Sequence, residues 1–256
     1  MNNIFNLNRF SRLFVKHTVE HYKSYLMSLT VLIGVMLLAG SFMVYIMKAP
    51  IDKNSQTALF VVLLLMAGTV FTSTIFVDFG DKKKAIAALT LPASHFEKYL
   101  VAWIYSFVLF LILYTVGFYL VVLFAVNIRH FPGQQAEILN VFDRRVAEMY
   151  LLYAFLHSIA FGGAIFFEKL HFVKTAFLFF IFIAILIILN KVILSMLLGI
   201  AVEATVPFGN LRFAENKLVV DINITRQHET YTTLITMVLT LFFWVAAYFC
   251  LKEKQV

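Results

Sequence analysis

The side chains in this sequence that could do chemistry are few, and none stands in a pattern that commits it to a reaction. His157, Lys191 beside Asn190, and Glu168 near His171 are the ionisable or amide groups at or beside long apolar stretches. An ionisable group at membrane depth is costly to hold and is usually retained for a use. A catalytic site would need several such groups to converge. There is no HExxH, no GxSxG, no paired Asp motif and no Cys and His cluster. His157 therefore reads first as a hydrogen-bonding group inside a helix bundle. Lys191 lies about ten residues before the end of its apolar run, so it can reach the surface only partway. That position points to a neighbouring helix, a cavity or an acidic partner, and a place on a substrate path is the sharper alternative. Cys250 is the sole cysteine, which excludes an intrachain disulfide and a cysteine-based metal site. No GxxxxGK[ST] occurs, so ATP cannot be held here by a P-loop. No cofactor or metal is expected in this chain.

The elements that must position these residues are membrane helices. Apolar residues make up 62% of the chain and charged ones 14%, too few charges to cover a soluble domain of this size. Apolar runs of about 20 residues recur, each long enough to cross a hydrocarbon core of about 30 Å. The predicted architecture is an all-α membrane protein with six transmembrane helices and small exterior loop segments. The spans run from Tyr25 to Ile46, Ala58 to Val77, Tyr99 to Val126, Met149 to Phe167, Thr175 to Ala201 and Tyr231 to Leu251. Residues 25–251 thus form one membrane domain, followed by a short tail at 252–256. The first run lies behind a long charged segment, so it reads as a retained helix and not as a cleaved signal.

Residues 1–24 are predicted to form a basic amphipathic helix. Arg9, Arg12, Lys16, Glu20 and Lys23 recur every three or four positions, and Leu7, Phe10, Phe14 and Tyr22 fall opposite. Such a helix suits the membrane surface, with its Phe side chains among acyl chains. A tail whose charges only set topology is the alternative. With the N-terminus inside, the cytosolic segments carry about 12 Lys and Arg against about 8 outside. Both termini are then cytosolic. The net charge of +7 is dispersed among short loops, which argues for membrane topology and against nucleic acid.

Two segments between spans are longer. Residues 127–148 hold a Pro-Gly turn at Pro132 and Gly133, followed by what reads as a short surface helix. In residues 202–230, Leu218, Val220, Ile222 and Ile224 alternate with polar neighbours, as in a short strand or hairpin.

The most structured polar interval is DFGDKKKAIAALTLPASHFEK, Asp78 to Lys98. Asp81 to Leu89 can form a short helix with Lys82, Lys83 and Lys84 in its first turns and Ala85, Ile86 and Leu89 as an apolar side. Pro92 ends it. Ser94 and Glu97 have the spacing of a capping box that would start the third span. A short helix, a proline corner and a capped membrane helix can carry a push from a cytosolic partner into the bundle. A basic loop resting its apolar side on the bilayer fits the same residues.

The segment LTLPASHFEKYLVAW resembles the loop after the second span in permease subunits of ABC-2 type transporters, where Leu-Leu-x-Pro-x-Ser/Thr precedes a basic residue and a long helix. The basic amphipathic N-terminal segment, six spans and the short turn between spans four and five agree with that family. The resemblance implies a coupling helix at Asp81 to Leu89 docking on a separate ATP-binding cassette ATPase subunit, with Pro92, Ser94 and Glu97 connecting it to span three. It implies ATP and Mg on that partner, and a second permease copy or a paralogous permease. It also implies export across a bacterial cytoplasmic membrane, with no catalytic residue in this chain. The strand-like 217–225 segment departs from the short re-entrant helices common in the family, so a substrate-exit role there is in doubt. A membrane scaffold or sensor that binds a cytosolic regulatory partner without moving solute is the runner-up. An intramembrane enzyme would need His157, Glu168 or Lys191 to meet another polar group.

Overall fold

The computed structural model describes residues 5–47, 52–75, 93–128, 138–140, 142–167, 169–200, 202–203, 205–207, 209, 211–215, 218–222 and 226–253. Asp81, Lys82, Lys83, Lys84, Ile86, Leu89, Pro92, Pro132, Gly133 and Glu168 lie outside the described residues.

Six helices are long and apolar enough to cross a membrane, and the chain is a multi-pass membrane protein. They are α1 (Leu7–Met47), α2 (Lys53–Thr74), α3, α4 (Arg144–Phe166), α5 (His171–Leu198) and α6 (Arg226–Glu253). The third, α3, runs as α-helix over His95–Trp103, as π-helix over Ile104–Leu109 and as α-helix again over Phe110–Ile128. Between α5 and α6 an antiparallel hairpin pairs β1 (Leu211–Glu215) with β2 (Leu218–Ile222), Leu211 opposite Ile222. The alternation over Leu218 to Ile222 is thus a strand of that hairpin.

The sequence divides residues 1–24 from the first span; the structure does not. One uninterrupted helix of 41 residues covers both, about 61 Å at 1.5 Å per residue. Nothing between Leu7 and Met47 would break it: there is no proline, and the glycines are the isolated Gly34 and Gly40. Phe10 and Phe14, expected among acyl chains, pack on protein instead. Phe10 lies 5.7 Å from Phe5, and Phe14 lies 4.9 Å from Tyr105 of α3, between ring centroids. Residues 138–140 carry no helix, and α4 begins at Arg144; the rest of the segment expected to hold a short surface helix lies outside the described residues.

Helix directions alternate as six crossings require. Arg9 meets Glu97, Phe14 meets Tyr105 and Gly40 faces Val121, so α1 and α3 run parallel. Phe60 packs on Phe118 and Phe71 on Phe110, which sets α2 antiparallel to α3. Tyr153 stacks on Phe107 and Phe161 on Tyr99, setting α4 antiparallel to α3 as well. Phe155 meets Phe243 and Gly162 faces Ala247, so α4 and α6 are parallel. The ends of the bundle are named here by α3: the near end holds Glu97, the far end Ile128.

Small residues let these apolar rods approach, as they must where lipid is as apolar as the partner helix. A Cβ at Gly68 would sit 2.2 Å from the Tyr153 ring, and one at Gly163 would sit 1.9 Å from Thr175 Oγ1. The main core joins Met36, Phe60, Leu64, Tyr114, Phe118 and Tyr153, and a smaller one at the near end joins Tyr99, Phe161, Ala164 and Leu251. By contrast, α5 buries only His171.

Candidate functional site

The polar groups that matter collect along the first four turns of α3. Ser94 caps the helix, as its spacing predicts. Its hydroxyl accepts the Glu97 N–H at 3.1 Å, and Glu97 Oε2 accepts the Ser94 N–H at 2.9 Å. The other carboxylate oxygen goes to a partner that the sequence does not reveal. Glu97 Oε1 accepts the Asn6 N–H at 2.7 Å and the Arg9 guanidinium at 2.9 Å and 3.2 Å. Glu97 is fully buried, while Arg9 keeps a third of its side chain exposed. One carboxylate therefore completes the cap of α3 and clamps the first turn of α1. Charge-assisted bonds are the stronger kind, and removing one partner of a buried pair leaves an uncompensated charge. Aromatic rings extend the clamp, from Phe96 to Phe5 and on through Phe10 and Phe14 to Tyr105.

Above this joint α3 changes pitch. The π segment Ile104–Leu109 puts two adjacent side chains on two different neighbours. The Tyr105 hydroxyl hydrogen-bonds Thr18 of α1, and its ring packs against His17 and Tyr25. Ser106 Oγ lies 2.9 Å from His157 Nε2. A π segment leaves backbone groups outside the ordinary helical ladder, and Tyr153 satisfies one of them by donating its hydroxyl to the Ser106 carbonyl at 3.1 Å.

The state of His157 follows from its partners. The Trp244 indole N–H, 3.1 Å from His157 Nδ1, can only donate, so Nδ1 must accept. The proton of the neutral ring then sits on Nε2 and points at Ser106 Oγ. The Ser106 hydroxyl donates in turn to the Ala102 carbonyl at 2.8 Å. Every group in this chain is satisfied within the bundle. His157 offers Ser106 a proton and accepts none from it, so the pair is not a nucleophile with its base. This arrangement ties α3, α4 and α6 together, and the Tyr99 hydroxyl adds a second tie to α6 through the Trp244 carbonyl at 2.8 Å.

The remaining predicted residues stay apart from this spine. Arg12 is exposed, Lys16 pairs with Glu20 at 3.6 Å, and Lys23 lies over the Tyr22 ring. Lys191 is exposed on α5, and no described contact joins it to His157. Its neighbour Asn190 donates to the Thr205 carbonyl at 3.0 Å. Among the described residues no group of three or more His, Cys, Asp or Glu is placed to hold a metal ion. Asn6, Tyr99, Tyr105, Ser106 and Trp244 belong to these networks although no sequence motif marks them. The one local hint is that two tryptophans and a histidine fall in otherwise apolar and aromatic spans, where their N–H groups need partners. Comparison with protein-family models, with curated proteins and with solved structures finds no match to this chain.

Proposed function

We propose that the chain is the membrane-spanning permease subunit of an ATP-driven transporter of the ABC-2 type. It lies in a bacterial cytoplasmic membrane with both termini in the cytosol and works as an exporter. The near end of the bundle is then the cytosolic end. The interval between α2 and α3 docks on a separate ATPase subunit, which carries ATP and Mg and does the hydrolysis. The observation that supports this most is the Glu97 joint. The chain enters α3 directly behind that interval, and its first turn is fastened to α1 by a buried charged node. A displacement delivered at residues 93–95 therefore moves α1 and α3 as one body. The ties from Tyr99 to Trp244 and from Ser106 to His157 pass it on to α6 and α4. The exposed apolar length of α5, with Lys191 on it, leaves room for a second permease copy or a paralogue.

Co-expression with an ATP-binding cassette subunit, sought among the adjacent genes, tests the reading. A stable complex with stimulated ATP hydrolysis is expected, and reversing the charges of Lys82, Lys83 and Lys84 should weaken that stimulation. Reconstituted vesicles that bind the partner without ATP-dependent solute movement would instead favour a scaffold or sensor subunit.

A further inference from the structure

Toward the far end of the bundle a described segment without helix reaches into the core. Residues 138–140 carry no regular structure, yet Leu139 is only 5% exposed and packs in one core cluster with Phe60, Phe118 and Val146. Its described neighbours are unlike it: Ile138 is 40% exposed and Phe142 94%. Non-helical backbone in an apolar setting must have both its polar groups satisfied, and here two side chains do so at a single residue. The Leu139 N–H donates to Gln56 Oε1 of α2 at 2.9 Å, and the Leu139 carbonyl accepts from the Tyr119 hydroxyl of α3. Gln56 is itself buried, at 1% exposure. An amide in that position is tolerable because the strap uses it.

We propose that residues 138–140 are a releasable strap, with Leu139 as a stopper seated among the far ends of α2, α3 and α4. Both Leu139 hydrogen bonds run between a side chain and the strap backbone, and the two that Asn140 accepts, from the Phe142 N–H at 3.0 Å and the Asp143 N–H at 3.2 Å, lie ahead of α4. The strap can therefore lift without unwinding a turn of any helix, exposing an apolar opening where Leu139 sat. Closure by a helix end would break helical hydrogen bonds each time. The inference concerns how this end opens and does not rest on the reading of the chain as a transporter.

Cysteine labelling of the full-length chain in permeabilised membranes tests it. Cys250→Ser removes the single natural cysteine, and a hydrophilic maleimide then reads Leu139→Cys against Phe142→Cys. Leu139→Cys should label at least about tenfold more slowly than Phe142→Cys. Adding Gln56→Leu or Tyr119→Phe, each of which removes one holding bond, should speed Leu139→Cys by about tenfold. Ala164→Cys, buried at the opposite end, should stay protected in both backgrounds. Three results would overturn the proposal: equal labelling of Leu139→Cys and Phe142→Cys at rest, indifference of Leu139→Cys to both substitutions, or acceleration at Ala164→Cys to the same degree, which would mean that the whole bundle had loosened.

Discussion

At its first turn α3 is gripped through a buried carboxylate that draws on Asn6, Arg9 and Ser94, whereas toward its far end it holds the 138–140 segment through a phenol, with a neutral amide from α2 opposite. Hydrogen bonds to charged groups contribute roughly 1.5–3 kcal/mol each and neutral ones about 0.5–1.5 kcal/mol. The near end is therefore the more tightly fastened of the two. On the proposed function, displacement would enter α3 at the near end. Between the two, the π segment turns adjacent residues toward α1 and α4, so α3 has polar ties to α1, α4 and α6.

Substitutions can break this contrast, beginning with the largest effect. Glu97→Ala strands the Arg9 guanidinium and two backbone N–H groups, and should cost about 3–5 kcal/mol in reversible unfolding in detergent. A loss no larger than that of Tyr119→Phe, about 1 kcal/mol for a neutral bond, would erase the difference between the ends. Gly68→Ala comes next. The Tyr153 ring it would strike is fully buried and cannot swing aside, so overpacking should cost about 1–3 kcal/mol and lower the melting temperature. Trp244→Phe removes the indole N–H that donates to His157 Nδ1 at a cost of about 1 kcal/mol. Its sharper readout is ¹⁵N NMR of the imidazole: the wild type should give an Nε2–H neutral ring, and the variant should shift the Nδ1 resonance.

The smallest effect lies at Asp52, which caps α2. Its carboxylate is held below its ordinary value of 3.8, chiefly by the Ser55 hydroxyl, and it also accepts the Asn54 and Ser55 N–H groups. A depressed carboxyl stabilises the fold above its unfolded value and loses that contribution as the pH falls through the lower folded one. Asp52→Ala should therefore lower stability near neutrality slightly and flatten the acid limb of the stability profile below about pH 4. An unchanged acid limb would remove Asp52 from the account.

Much of the fold was legible because membrane helices declare themselves by length and apolarity. All six spans and the strand at Leu218 to Ile222 could be read that way, and so could the box of Ser94 and Glu97, whose two partners are three residues apart. What could not be read depends on distance along the chain. Arg9 and Glu97 are 88 positions apart, and nothing in a basic amphipathic pattern distinguishes the arginine that finds a buried carboxylate from Arg12, which does not. The same periodicity suggested a surface helix for residues 1–24, because it marks two faces without saying whether the apolar one meets lipid or protein. Phe14 meets Tyr105 of α3, whereas Leu7 and Tyr22 on the same face stay exposed. The hydrogen bonds of His157 run to Ser106 and Trp244, 51 and 87 positions away, which no local pattern marks. The π segment that presents Ser106 has no composition of its own.

The central claim is that force enters this bundle through the start of α3, and ATP hydrolysis by the co-purified complex tests it most directly. Wild type should stimulate its ATPase partner. Glu97→Gln and Arg9→Met, which leave the interval between α2 and α3 intact, should retain the complex but lose most of the stimulation. Undiminished stimulation in both variants, or failure of any ATP-binding cassette subunit to co-purify with the wild-type chain, would contradict the account.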